Sequence, residues 1–162
     1  MRSQSIFRID AGKDSGGACS ATLSGFIIVD GNKHIMVFID VFSRFIELFA
    51  VRDLTAATAA KRVMEFTGRY GIPSQILTDN GTQYINELAN QIYDCMWTNH
   101  ISIMPYSHEE NSIVERANKE INRHRRAIVF DRKITSKWSM ALPLIQRVMN
   151  TTVHSSIGTS PS

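Results

Sequence analysis

The order of strand-like and helix-like segments is the feature that most constrains the fold of this chain. Short apolar runs that end in turn residues come first, and from residue 56 onward they alternate with segments of helical apolar spacing. Ala56 to Tyr70 is one such helical segment, with Thr55 placed to cap it and Gly71-Ile72-Pro73 placed to end it. This order predicts an α/β fold in which helices cover a mixed sheet.

The same periodicities place the individual elements. The predicted strands are 6–10, 26–29, 34–41, 45–51, 75–78 and 101–104, and the predicted helices are 56–70, 86–98, 112–130 and 138–153. The turn Asp30-Gly31-Asn32 predicts a hairpin between the second and third strands. Pro143 in the last helix predicts either a start in the first turn or a kink. We expect one main unit over residues 26–162, preceded by a segment 1–25 that holds only a candidate first strand.

Charge is concentrated in one part of the chain. The formal net charge is only +3, and at 162 residues and 43% hydrophobic content the chain can fill one core. Seven cations lie between residues 116 and 133, against the two acids Glu120 and Asp131; they are Arg116, Lys119, Arg123, Arg125, Arg126, Arg132 and Lys133. This stretch is the predicted polyanion-facing surface.

Several classes of protein are disfavoured by what the sequence lacks. Cys19 and Cys95 form no CxxC or Cys/His spacing, which argues against a zinc site or a disulfide framework. No apolar run approaches eighteen residues, and the first residues do not resemble a secretory signal. We therefore expect an intracellular protein that does not interact with membranes.

Two carboxylates carry the chemical prediction. Asp79 follows a short apolar run and precedes Asn80-Gly81, so it is expected at the carboxyl end of a strand, where the chain turns. Glu115 opens the basic, helical stretch. Acidic side chains on rigid elements supply hard oxygens for Mg²⁺, and neighbouring cations bind phosphates. The pair predicts metal-dependent chemistry on DNA phosphodiesters.

The contexts of these two acids resemble a known family. The runs that carry the resemblance are Asp40-Val41-Phe42-Ser43-Arg44-Phe45-Ile46-Glu47, Thr78-Asp79-Asn80-Gly81-Thr82-Gln83-Tyr84, Pro105-Tyr106-Ser107-His108 and Ile113-Val114-Glu115-Arg116-Ala117-Asn118-Lys119-Glu120. They resemble the catalytic core of retroelement integrases, in particular those of Ty3/gypsy long-terminal-repeat retrotransposons. The most specific part is the interval of thirty-five residues between Asp79 and Glu115.

The resemblance implies a ribonuclease-H-like fold, a mixed five-stranded sheet flanked by helices. It also implies an Asp, Asp, Glu triad that binds two Mg²⁺ or Mn²⁺ ions. In such a site one ion activates the attacking oxygen in 3′-end processing or strand transfer, and the other stabilises the leaving oxygen. Asp79 and Glu115 take the second and third positions of the triad. For each there is also a structural explanation, a turn residue for Asp79 and a helix-start acid for Glu115.

The first triad position has two interpretations. Asp10, at the end of the candidate first strand, is the metal ligand if residues rich in Gly and Ser are inserted before the hairpin. Alignment without a gap instead points to positions 20–22, which hold no carboxylate, and the enzyme is then inactive. Asp40 is the next substitute, although its place in the second strand favours a structural role.

Further residues are assigned around the triad. The predicted DNA-contacting residues on the basic helix are Lys119, Asn122, Arg123 and Arg126, and the predicted active-site loop residues are Asn80, Gly81, Tyr106 and His108. Lys119 takes its role from the resemblance. Trp97 and Trp138 stand among apolar helical neighbours and are predicted to lie in the core or in an interface.

The sequence thus predicts DNA integration by an Mg²⁺- or Mn²⁺-dependent polynucleotidyl transferase, an isolated core truncated at its carboxyl end. Its expected partners are retroelement ends and target DNA, its expected assembly is a dimer through the core, and its expected site of action is the nucleus. Two alternatives stay open. One is a decayed or domesticated core that binds nucleic acid without catalysis, and the other is a nuclease of the ribonuclease H type.

Overall fold

The structure is a computed structural model that describes residues 6–11, 31–78, 86–102, 108–132, 138–154 and 157–161. The strands within these residues are β1 (Ile6–Ala11), β2 (His34–Asp40), β3 (Ile46–Val51), β4 (Gln75–Thr78) and β5 (Asn99–Ser102). The helices are α1 (Ala56–Tyr70), α2 (Glu87–Cys95), α3 (His108–Arg132) and α4 (Trp138–Thr151). Among the described residues, no helix combines the length and apolarity that a membrane span requires.

The strands form one mixed sheet in the order β3-β2-β1-β4-β5. β2 pairs antiparallel with both β1 and β3, whereas β4 pairs parallel with both β1 and β5. The predicted mixed five-stranded sheet is confirmed, and the candidate first strand occupies its centre. A short turn joins the antiparallel strands β2 and β3, whereas α2 connects the parallel strands β4 and β5, as parallel pairing requires.

The predicted hairpin between residues 26–29 and β2 stays a prediction, whereas the described pairings of β2 are with β1 and β3. Residues Met36 to Asp40 of β2 pair with β1 on one edge, and residues His34 to Ile39 pair with β3 on the other. Both edges of β2 are therefore occupied. Residues 26–29 lie outside the described residues.

Two hydrophobic clusters hold the helices on opposite faces of the sheet. In β2, Met36 and Phe38 pack with α1 and α2, whereas Val37 and Ile39 pack with α3 and α4. The alternation follows from the period of two along a strand that is buried on both faces. The sheet is thus a central layer between two helical layers. Helix α3, which bears Glu115, belongs to one of them.

The helix ends follow local capping chemistry. Thr55 caps α1 by accepting a hydrogen bond from the Thr58 amide, and Gly71 ends it at φ 88°, a value that glycine adopts without strain. Asn86 caps α2, which ends at Cys95, three residues before the predicted boundary. Trp97, at φ 55° and 80% exposed, lies after that end, so it is not in the core and its alternative position, in an interface, stays a prediction.

Of the last two helices, α3 differs from expectation at its start and α4 does not. α3 begins at His108 rather than Ser112. α4 begins at Trp138, as predicted, and this tryptophan is buried in the core. Pro143 lies inside α4, beyond the first turn, where it removes one helical hydrogen bond.

Side chains of α4 pair with the outer edge of β3. The Ile46 amide donates to Asn150 Oδ1 at 2.8 Å, and Asn150 Nδ2 donates to the Ile46 carbonyl at 2.8 Å. The Leu48 amide donates to Gln146 Oε1 at 3.0 Å. Backbone groups of this edge strand are therefore satisfied without another strand.

Candidate active site

The pairing of β1 with β4 concerns two predicted ligands, Asp10 and Asp79. These strands run parallel, and Ile9 pairs with Thr78 in their register. Asp10 and Asp79 are the residues that follow Ile9 and Thr78, at the same end of neighbouring strands. The side chain of Asp10 lies outside what the structure describes, as do Asp79, Asn80 and Gly81.

Helix α3 packs on one face of the sheet. Ala117 and Ile121 belong to the buried cluster that contains Val37 and Ile39 of β2. Val37 is also the β2 residue that pairs with Asp10 in the antiparallel register. Helix α3 therefore lies on the face of the sheet that position 10 shares with Val37.

Glu115 differs from the buried acids of the molecule. Its side chain is exposed, and within the described residues it has no hydrogen-bond or ion-pair partner. The described residues hold no group of three potential metal ligands, and Glu115 is the member of the predicted triad whose side chain is described. Exposed carboxylate oxygen is the hard donor that Mg²⁺ and Mn²⁺ prefer, so this residue fits a metal ligand.

The predicted DNA-contacting residues divide into two sets. Lys119 and Arg126 are exposed and Asn122 is half-buried, and with helical spacing from Glu115 they share its face of α3. Arg123 is also exposed, but its guanidinium forms an ion pair with Glu120 at 2.7 Å. It lines a cavity on the neighbouring face of the helix.

Arg125 does not contribute to the predicted polyanion-facing surface, which is a correction to the charge-based interpretation. Only 7% of the residue is exposed. Burial lowers the pKa of its guanidinium, and repulsion from Arg126 lowers it further. Arg125 follows the buried Ile121 by one helical turn, so the apolar periodicity contained the signal that the charge count concealed.

Asp40 has a structural role, as predicted. Its carboxylate accepts hydrogen bonds from the Phe42 amide at 3.3 Å, the Ser43 amide at 3.2 Å and Ser43 Oγ at 2.6 Å. These bonds hold the turn between β2 and β3 and leave the carboxylate committed. Of the predicted loop residues, Tyr106 lies outside the described residues, and His108 begins α3, so its predicted loop position is wrong.

A contact that the sequence did not reveal anchors the residue before Asp79. Thr78 is fully buried, and its Oγ1 lies 2.8 Å from Nε2 of His100 on β5. The His100 ring stacks on Tyr93, with 4.5 Å between ring centroids. Burial lowers the pKa of His100, so the neutral ring is favoured. No local motif marks this contact because it joins two neighbouring strands.

Solved structures share this architecture. The chain is similar to the HTLV-2 integrase catalytic core domain in complex with magnesium, at TM-score 0.74 and 16% identity, covering 99% of this chain and 95% of that one. It is also similar to a chain of the simian T-cell lymphotropic virus intasome in complex with PP2A regulatory subunit B56 gamma, at TM-score 0.78 and 18% identity, covering 99% and 55%. The fold is the ribonuclease-H-like fold of integrase catalytic cores.

Sequence similarity gives the family. A family model described as the integrase core domain matches residues 19–112, more than half of the chain. The Gag-Pol polyprotein of feline leukemia virus is 31% identical over 123 residues, which cover 75% of this chain and 7% of the polyprotein. That of woolly monkey sarcoma virus is 29% identical over 123 residues, with the same two coverages. The chain belongs to the integrase core domain family.

The matched range includes only part of the predicted triad. Asp79 lies within residues 19–112, whereas Asp10 precedes that range and Glu115 follows it. β1, the central strand of the sheet, also precedes it. The family match therefore includes the second predicted triad position and excludes the first and the third.

Proposed function

We propose that the protein performs DNA integration, by 3′-end processing and strand transfer of retroelement DNA. One observation carries the proposal: the parallel register of β1 and β4 pairs Ile9 with Thr78, the residues before Asp10 and Asp79, and the helix that bears Glu115 lies on the face of the sheet that position 10 shares. This arrangement fits three acids around a pair of Mg²⁺ or Mn²⁺ ions. When bound, the two ions activate the attacking oxygen and stabilise the leaving oxygen.

The residues of the chain then have two roles, metal binding and DNA binding. Asp10, Asp79 and Glu115 hold the ions. Lys119 and Arg126, exposed on the Glu115 face of α3, bind phosphates of the DNA backbone and fix its position, and Asn122 supports them. Contacts of this kind select no DNA sequence, so retroelement ends and target DNA share this surface.

Two observations support Asp10 as the first ligand. It is the next-to-last residue of the central strand and follows Ile9, which pairs with the residue before Asp79. The hydrogen bonds that commit Asp40 to its turn remove the main substitute. The family match that begins at residue 19 favours a second candidate function, a core that binds nucleic acid without catalysis. In that case positions 20–22 take the place of Asp10 and no carboxylate completes the triad.

The remaining assignments belong to the same proposal. We assign the element to the Ty3/gypsy type on the motif contexts around Asp40, Asp79 and Glu115, and we place its action in the nucleus, where target DNA lies. We also propose a homodimer through the core. Met140 and Leu144, one turn apart on α4 and 68% and 51% exposed, give an apolar stripe for such a contact.

The test is strand cleavage and rejoining on a branched DNA that mimics an integration intermediate, with Mn²⁺ or Mg²⁺. Wild-type protein is compared with Asp10→Asn and Asp79→Asn. The matched control is Asp94→Asn, because Asp94 is an exposed acid on α2, away from the strand ends. We expect activity to be lost in the first two variants and retained in the control.

Each other outcome points to a specific alternative. Activity that survives Asp10→Asn moves the first ligand elsewhere. A folded wild-type protein that binds the DNA but neither cleaves it nor binds Mn²⁺ supports the non-catalytic core. Preferential cleavage of RNA in an RNA/DNA hybrid supports a nuclease of the ribonuclease H type.

A further inference from the structure

A cavity of about 640 Å³ lies between the β2–β3 turn, the inner flank of α3 and the residues that end α4. Its apolar lining comes from all three elements and includes Ile39, Ile46, Ile113 and Met149. Its volume lies in the range of small-molecule sites. The cavity is separate from the face of α3 that bears Glu115, although both are on the same helix.

Positive charge dominates the polar lining. The basic residues are Arg44, Arg116, Arg123, His124 and His154, against the single acid Glu120. Glu120 is already paired with Arg123 at 2.7 Å. The guanidinium groups of Arg44 and Arg116 therefore remain without a neutralising acid among the lining residues. A cavity with this imbalance attracts an anion.

Arg44 gives the strongest indication of a missing ligand. Its Nε and Nη1 are buried and, within the described residues, have no hydrogen-bond partner. Buried donors without acceptors are rare in folded proteins, because each loses its hydrogen bonds to water and gains none in return. The backbone of Arg44 is in the left-handed region, at φ 65°, which is unfavourable for a residue other than glycine. Strain and unpaired donors thus coincide at one residue that lines the cavity.

We propose that this cavity binds a small organic anion, an apolar body that carries one carboxylate or phosphate group. The anionic group pairs with the fork of Arg44, after a small rotation of its side chain, and with Arg116. The apolar body lies against Ile113 and Met149 and excludes water from them. The unpaired arginines and the apolar residues of the cavity therefore together specify an amphipathic ligand.

A DNA backbone phosphate fits this cavity less well. Phosphates in DNA are carried on a polar sugar chain, which gains nothing from the apolar lining. The lining residues Ile113, Ala117, Glu120 and His124 also lie on a different face of α3 from Lys119 and Arg126. The two basic regions of α3 are therefore assigned to different ligands.

The test uses 4-phenylbutyrate as the probe and 4-phenylbutanol as its neutral analogue, with binding to the full chain measured by NMR titration and calorimetry. We expect the carboxylate to bind with shifts at the amides of Ile113, Ala117 and Val153, and the alcohol to bind about tenfold or more weakly. Arg44→Met keeps the stem and removes the charge, and it should weaken carboxylate binding by about tenfold or more. Lys61→Met, at an exposed cation on α1, should leave it unchanged.

A second variant keeps the test decisive if Arg44→Met does not fold. Val153 is 66% exposed at the rim, so Val153→Glu should fold normally and weaken binding of the carboxylate by repelling it. Equal affinity for the acid and the alcohol, or no effect of either cavity variant, overturns the proposal. Displacement of the probe by a short DNA duplex also overturns it, because the cavity then belongs to the nucleic-acid surface.

Discussion

An acidic side chain on β3 and another on α3 have opposite surroundings. At the β3 side, Glu47 is 3% exposed and accepts hydrogen bonds from Arg69 at 2.5 Å, Tyr70 at 2.8 Å and Gln146 at 2.5 Å. On α3, Glu115 is exposed and has no such partner in the described part of the chain. One acid is hydrogen-bonded within the fold, and the other is exposed to solvent.

This difference separates stability from function. A buried carboxylate is tolerated only when its oxygens are paired, so its partners and the fold depend on one another. An exposed carboxylate beside cations contributes little to stability, because water solvates it in the folded and unfolded states alike. Substitutions in the two regions should therefore affect different measurements.

The largest effect is expected for Glu115→Gln, and it concerns activity alone. Loss of a metal ligand removes several kcal/mol of transition-state stabilisation, so metal-dependent strand cleavage should fall by about 10³-fold. The midpoint of thermal unfolding should stay within about 1–2 °C of wild type, since surface substitutions cost little. A clear loss of stability would show that Glu115 belongs with the structural acids.

Glu47→Ala should give the converse result. The change leaves the Tyr70 hydroxyl and the Gln146 amide without their acceptor, while Arg69, 56% exposed, regains water. We expect the free energy of unfolding to fall by about 2–4 kcal/mol in urea titrations. Strand cleavage well below the unfolding temperature should persist. Asp94→Ala is the control, and an equal loss of stability in that variant would contradict the argument.

Asn150→Leu tests the same region through the backbone. The leucine removes both hydrogen bonds to Ile46 and leaves a buried amide and a carbonyl unpaired. The expected cost is about 2–3 kcal/mol in the free energy of unfolding. A freed strand edge should also promote association of the folded protein at high concentration, which light scattering can detect. Unchanged stability would mean that water replaces the amide without cost.

A smaller effect is expected for Tyr70 at high pH. Partial burial, followed by the hydrogen bond to Glu47, raises the pKa of Tyr70 to about 12, and burial raises that of Tyr93 to about 12. The unfolded chain loses these protons near pH 10, so stability should decline as pH rises from about 10 to 12. Tyr70→Phe should cost about 1 kcal/mol at neutral pH and weaken this decline. Phenolate absorbance against pH measures the pKa values of the tyrosines, and the difference between wild type and Tyr70→Phe gives that of Tyr70.

The smallest effect is expected for His100 on the acidic side. Burial lowers its pKa, so the unfolded chain binds a proton below about pH 6.5, before the folded chain does. Stability should therefore fall as pH decreases below that value. His100→Asn should flatten the dependence between about pH 5 and 6.5, measured by urea titration, because asparagine does not titrate. An unchanged slope would assign the dependence to other groups.

The sequence predicted those features that depend on local periodicity. Alternation identified β1, a short apolar run identified β4, and helical spacing identified α1 with its Thr55 cap. The turn chemistry of Asp30-Gly31-Asn32 predicts a hairpin whose first strand, 26–29, lies outside the described residues. The pairing of β2 with the distant strand β1 could not be predicted, because local signals do not determine which distant strands become neighbours.

The site was predictable to a similar extent. Asp79 and Glu115 could be chosen from their contexts, because a strand end and a helical stretch are local signals. The burial of Arg125, the contact between Thr78 and His100, and the unpaired donors of Arg44 all depend on which elements pack together. Side-chain type alone placed Arg125 on the surface, although its apolar neighbours along α3 indicated otherwise.

The hydrogen bonds from α4 to β3 also limit how copies of the chain can associate. With Ile46 and Leu48 already paired to Asn150 and Gln146, a second molecule finds few backbone groups there with which to continue the sheet. Contacts on this flank must therefore be made by side chains. Backbone pairing accepts almost any strand, whereas side-chain contacts differ between sequences. An assembly formed through this flank can therefore select copies of the same chain over related proteins of the same fold.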